Sequence, residues 1–191
     1  MQDDDIIALA SSVRTVFNLE MALTEEMLAI AERLRPYQIT LVPERREEVT
    51  TEGGLDVSRE PGPLREGLAR LKRAGVRTSL FIDPDARAVR QSHDLGAEAI
   101  ELHTGAYAHH TESAAVHRAL AEAADLGRSL GLAVHAGHGL TVRNVGPVAA
   151  IAAIEELNIG HSIVSRSIFV GLGQSIAEMR VAMVAGRLAA R

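Results

Sequence analysis

The sequence predicts a parallel α/β fold, and within that class a (β/α)₈ barrel, on three observations. Short β-rich runs alternate with Ala- and Leu-rich stretches that carry helix signals. The runs read as apolar on successive residues, the pattern of parallel strands buried on both faces. Titratable or glycine-rich positions close nearly every run instead of gathering at one turn, and no Gly-x-Gly-x-x-Gly follows the first, which favours a barrel over a Rossmann sheet.

Taken in order, a first helix is expected from Asp3 to about Val13. Asp3, Asp4 and Asp5 suit a helix amino terminus, and Ile6, Ile7, Leu9, Ala10 and Val13 form an apolar face that needs a sheet to cover. Six strands follow, at residues 15–20, 39–42, 78–82, 99–102, 133–136 and 157–160, the last continuing towards Ile163. Helix starts are marked by Thr24 before Glu25 and Glu26, by Asp83-Pro84-Asp85, by Thr111 before Glu112, and by Thr141 before Val145. Helix stops are marked by Pro36, Gly75, Gly96 and Gly131. Residues 43–56 form a long polar loop ending in Gly53-Gly54, of the kind used for binding.

Composition narrows the class. The chain has 191 residues, a net charge of −5 and 47% hydrophobic residues, with three Phe, two Tyr and no Trp, so one domain spanning 1–191 with an aliphatic core is expected. No basic face or aromatic platform suits nucleic acid. The absence of cysteine excludes disulfides and thiol chemistry. No apolar run approaches the roughly 18 residues of a membrane span, and the acidic start is unlike a secretory leader, so a cytoplasmic location is expected.

Five groups of residues invite chemistry. His138 lies between Gly137 and Gly139 just after the fifth run, where backbone N–H groups can approach an anion and an imidazole can exchange a proton near neutral pH. Glu20 ends the first run, where burial would tune a carboxylate towards general-base work. Glu101 and His103 share one strand face opposite Leu102, and an ionised Glu inside a strand needs a partner or a task. Gly139, Gly160 and His161 fit a phosphate cradle at the late strands. Thr50 or Thr51 can offer a hydroxyl from the long loop. His109, His110 and His117 read as surface residues at a helix start.

These segments together resemble one family. The stretches 18–27, 41–57, 79–83, 101–105, 136–140 and 157–161 are similar, in order and over essentially the whole chain, to the pyridoxine 5′-phosphate synthases. That resemblance implies a (β/α)₈ barrel with extra helices, assembled as a homo-octamer, that joins 1-deoxy-D-xylulose 5-phosphate to 3-amino-2-oxopropyl phosphate without metal or organic cofactor. It matches Glu20 to a general base, Glu101 to the carboxylate that stabilises the transition state, and His138 to the general acid. It also matches Thr50 to a contact with the deoxyxylulose phosphate, and Gly139, Gly160 and His161 to contacts with the aminoketone phosphate.

The family's opening strands, one bearing Asn-x-Asp-His and the next a His and an Arg, have no counterpart in this sequence. A barrel lacking its first two βα units, about 50 residues, is therefore expected. Such a chain alone is expected to be inactive or poorly folded, since an open barrel leaves two sheet edges unpaired. Two other readings stay open: an inactive fragment or binding remnant of the barrel, and a metal-dependent barrel enzyme using His103, His138 and His161 with Glu20.

Overall fold

The computed structural model describes residues 2–43 and 53–189; Thr50 and Thr51 lie outside the described residues. Helix α1 (Asp3–Ser12) leads into six repeats of strand and helix. The strands are β1 (Asn18–Met21), β2 (Gln38–Leu41), β3 (Arg77–Ile82), β4 (Ala99–His103), β5 (Ala133–Gly137) and β6 (Glu156–Asn158). Between them run α2 (Glu25–Leu34), α3 (Pro61–Arg73), α4 (Ala86–Leu95), α5 (Gly105–His109), α6 (Ala114–Ser129) and α7 (Val145–Ala150), and α8 (His161–Val170) and α9 (Leu172–Ala189) follow β6. All pairings are parallel, and strand order equals chain order, β1-β2-β3-β4-β5-β6. The sheet is curled into a half-barrel with its helices outside.

The central strands are buried on both faces as expected, but only one face is mainly apolar, which corrects the expectation of apolar residues on both. One face carries Leu19, Met21, Ile39, Leu41, Leu80, Ile82, Ile100, Leu102, Val134 and Ala136, all buried under the helices. The other carries Asn18, Glu20, Gln38, Thr40, Ser79, Glu101, His103, His135 and Asn158, in register across the strands. Small or apolar residues on this inner face, such as Ala99, Phe81 and Gly137, hide the period of two when the sequence is read by itself. Inner polar groups partner one another: Asn18 Oδ1 accepts from Thr40 Oγ1 at 3.0 Å and from Gln38 Nε2 at 3.4 Å.

Local signals explain most helix boundaries. Thr24 caps α2 by accepting the Met27 N–H, and α2 ends at Leu34 with Arg35 in the left-handed region before Pro36. Asp85 caps α4 through the N–H groups of Arg87 and Ala88. Other boundaries differ from expectation. Residues 105–109 form α5, and the next helix starts from Ser113, whose hydroxyl accepts the Val116 N–H, rather than from Thr111. The last strand stops at Asn158, because Gly160 caps α8 and His161 already has helical geometry. The first strand is confined to residues after Phe17. Of the expected apolar face of α1 only Ile6 is buried, while Ile7 remains exposed.

Helix α9 packs across α7 with Gly186 against Gly146, a backbone approach that no side chain at residue 186 would permit. Arg187 fixes the crossing by donating to the carbonyls of Ile151 and Ile154, each at 2.9 Å. The opposite side of α8 and α9 leaves Ile168, Phe169, Val181, Val184 and Leu188 exposed. No helix among the described residues is long and apolar enough to cross a membrane.

Leu80 is fully buried at the centre of the outer face. Leu80→Ala is expected to cost about 2–5 kcal/mol through lost transfer energy and a residual cavity, read as a lower urea midpoint with an unchanged slope.

Candidate active site

Glu20, His103 and Asn158 lie at or next to the carboxyl ends of their strands, and Glu101, in the middle of β4, is the centre of the group. Its carboxylate is buried, and Asn158 Nδ2 donates to Oε2 at 2.7 Å. The two residues come from β4 and β6 and reach each other over Gly137 of β5. A Cβ at residue 137 would collide with Glu101 Oε1 and stand 2.7 Å from the Asn158 carbonyl oxygen, so the glycine is the slot in which the carboxylate lies.

Burial raises Glu101 to about 7, the negative charge of Glu20 adds to the rise, the Asn158 hydrogen bond opposes it, and Glu156 contributes a smaller increase. Glu20, on β1, points into the same lumen; it is reached by solvent, yet partial burial still raises its pKa. The repulsion felt between β1 and β4, three strands apart in the sheet, reflects the curl that turns both carboxylates inward. Two carboxyl groups of unequal environment, one of them raised to about 7, can divide the holding and the release of a proton between them.

His138 follows β5 in a backbone conformation unusual for a residue with a side chain, φ +89°, and Gly139 continues the turn at φ +72°. Hydrogen bonds hold this corner. Thr104 N–H donates to the Gly137 carbonyl at 2.8 Å, and the Thr104 hydroxyl lies 2.7 Å from that oxygen and 2.5 Å from the His138 carbonyl oxygen. Asn144 Nδ2 donates to the Gly139 carbonyl at 3.2 Å, and the Ser162 hydroxyl donates to the Leu140 carbonyl at 2.6 Å. Desolvation lowers the His138 pKa, with His103 and His109 adding to the fall, so its neutral form is favoured in the free protein. His103 lies beside it, ring centroids 4.7 Å apart.

The Ser162 bond brings the first turn of α8 against the 138–140 corner. Gly160 and His161 sit at the open amino end of that helix, where the first intrahelical bond runs from Val164 N–H to the Gly160 carbonyl. Glu20, Glu101, His138, Gly139, Gly160 and His161 thus share one end of the half-barrel. Among the described residues no group of three or more His, Asp or Glu is arranged to hold a metal ion, which corrects the metal-centre reading of Glu20, His103, His138 and His161. His109 and His110 are exposed as expected, while His117 is half-buried, with Nε2 3.1 Å from the Pro147 carbonyl oxygen.

Sequence reasoning missed Asn158, Thr104 and Asp83. Asn158 was legible as a polar residue in phase with the inner face of its strand. Asp83 was read only as part of a helix start; it in fact accepts the Gly54 N–H at 2.9 Å and lies 3.4 Å from His103 Nδ1.

A curled parallel α/β half-barrel thus carries two carboxylates and a glycine-flanked imidazole towards the carboxyl ends of its strands, the place where α/β enzymes of this architecture keep their chemistry. The chain belongs to the family described as pyridoxal phosphate biosynthesis protein PdxJ, whose model matches residues 1–185. It is 52% identical over 187 residues to the pyridoxine 5′-phosphate synthase of Synechococcus sp. (strain JA-2-3B'a(2-13)), covering 96% of this chain and 78% of that protein. It is 47% identical over 191 residues to the pyridoxine 5′-phosphate synthase of Neisseria meningitidis, covering 98% and 79%. The fold also resembles that seen in the crystal structure of the Amycolatopsis orientalis BexX/CysO complex, with a TM-score of 0.65 at 19% identity, covering 97% of this chain and 73% of the other.

The raised Glu101 pKa links folding to pH. A carboxyl group that holds its proton more tightly when folded contributes stability that is complete below the unfolded value near 4.5 and is lost as pH rises through about 7. Glu101→Gln is therefore expected to flatten the stability profile between these limits, removing a loss of roughly 3 kcal/mol. Urea titrations at successive pH values test this; an unchanged profile would show that Glu101 ionises without penalty. Gly137→Ala is expected to expel the Glu101 carboxylate from its slot and, on the site reading below, to lower turnover about 100-fold or more.

Proposed function

We propose that the chain condenses 1-deoxy-D-xylulose 5-phosphate with 3-amino-2-oxopropyl phosphate to give pyridoxine 5′-phosphate, phosphate and water. Membership of the PdxJ family and about half the residues shared with named synthases support the reaction. The single structural observation that carries the site assignment is the Glu101 carboxyl group, poised near neutrality within a lumen it shares with Glu20.

The reaction joins an amine to a ketone, expels phosphate and water, and closes an aromatic ring, so protons must be taken from carbon and delivered to departing oxygens. Glu20 is suited to remove protons, because it is reached by solvent and its raised pKa strengthens it as a base. Glu101 balances positive charge that develops on the nitrogen-bearing intermediates, and its bond to Asn158 keeps it aimed inward. His138 delivers a proton to a leaving oxygen. Its lowered pKa makes the imidazolium a stronger acid once formed.

The aminoketone phosphate is assigned to Gly139, Gly160 and His161, where a glycine turn faces the open amino end of α8. The deoxyxylulose phosphate is assigned to Thr50 by family resemblance. We further read the six strands as consecutive members of a (β/α)₈ barrel, supported by their uninterrupted parallel order and polar lumen. A cytoplasmic homo-octamer is the expected working form, consistent with the exposed apolar residues of α8 and α9.

Replacing His138 with Asn is expected to lower kcat by about 10²–10⁴-fold, the usual contribution of a positioned proton donor. Formation of pyridoxine 5′-phosphate from the two substrates, followed alongside thermal unfolding, measures it. Full turnover in a folded His138→Asn protein would remove His138 from the acid role.

A further inference from the structure

His103 is a buried histidine that the proposed chemistry leaves unused, and its surroundings are unusually specific. It lies on the inner face of β4, 6% exposed, two residues beyond Glu101. Its Nδ1 faces Asp83 Oδ1 at 3.4 Å, so a proton carried on Nδ1 points at the carboxylate. Its Nε2 is fully buried with no hydrogen-bond partner among the described residues. It packs beneath Gly105, where a Cβ would stand 2.7 Å from Nε2 and 3.3 Å from His138 Cδ2, so only glycine lets the two rings meet. Phe81 closes the far side edge-on at 5.2 Å, while the His138 ring lies 4.7 Å away at a tilt of 52°.

A buried imidazole nitrogen without a partner calls for a reason, since an apolar ring would fill the same space without that penalty. We propose that Asp83 and His103 are a positioning pair for His138: Asp83 fixes the His103 ring from its Nδ1 side, and His103 holds the His138 ring in place and sets the charge it faces. The proposal rests on the reading of His138 as a proton donor. Asp83 Oδ1 also accepts the Gly54 N–H, and Leu55 N–H donates to the Phe81 carbonyl at 2.7 Å, so residues 53–55 are stitched along the end of β3. A Cβ at residue 54 would strike the backbone of Ile82 and Asp83, which makes that seating specific to glycine. The pair thereby links the segment preceding β3 in the chain to the proton donor after β5.

Among the described residues, the titratable groups facing His138 are His103 from β4 and His109 from α5, with Asp83 behind His103. Charge on His103 opposes charge on His138, and Asp83 holds the His103 ring against it. Removing either member should therefore make His138 easier to protonate.

The test is an NMR titration of the assigned His138 imidazole in the full chain, in the wild type, His103→Phe, Asp83→Asn and the double variant. Asp83→Asn retains an oxygen to accept the Gly54 N–H, and His103→Gln replaces His103→Phe if the latter does not fold. The His138 midpoint is expected to rise in each single variant, and Asp83→Asn is expected to add nothing once residue 103 has been replaced. A midpoint that stays at the wild-type value in the residue-103 variant overturns the proposal. So does an Asp83→Asn effect that persists in the double variant, since Asp83 would then act on His138 by another route. The titration needs no turnover, so it remains decisive even if the assigned reaction fails.

Discussion

Register is the constraint on which everything else hangs. Glu101 aligns with Phe81 on one side and His135 on the other, and this phase directs Leu80, Ile100, Leu102 and Val134 towards the helices. A slip of one residue in β4 would exchange the two faces, sending a carboxylate into the aliphatic layer and leaving isoleucine and leucine in the lumen. Neither half of that exchange is tolerable, because the outer face is almost wholly aliphatic. The hydrophobic layer therefore does more than hold the sheet together. It dictates which side chains are left to face inward, and the chemistry is built from that remainder.

Within this frame the site depends as much on missing side chains as on present ones. Gly137 leaves the space in which Glu101 reaches Asn158, and Gly105 leaves the space in which His103 reaches His138. Both glycines lie next to titratable groups, and both have strongly polar neighbours that would have to move if a methyl group were added. The positive φ of His138 belongs to the same economy of space. Thr104, Asn144 and Ser162 each commit a hydrogen bond to the chain around it, so the strain is held by a framework drawn from three separate segments.

Much of this was legible in the sequence. The strand-helix alternation, the six strands and the Gly137-His138-Gly139 corner follow from periodicity and turn chemistry, and the long motifs carried the family. The alternation of the strands was missed because Ala99, Phe81 and Gly137 occupy inner positions and mimic a run that is apolar throughout. The fate of residues 159–163 was missed because Ile159 and Ile163 suit a strand, whereas Gly160 at the helix cap overrides them. Asp83 and Asn158 escaped notice for another reason. Their importance comes from partners 20 and 57 residues away, and such pairings exist only after the sheet has curled.

Strand order that follows chain order has a consequence for how the protein comes into being. Each strand needs only its predecessor to pair with, so the sheet can grow from β1 to β6 as the chain leaves the ribosome, without waiting for distant partners. Glu101 is laid down in the fourth strand, but its hydrogen-bond partner arrives with the sixth. Of the six strands, the last in the chain is thus the one that supplies this carboxylate with its hydrogen-bond partner.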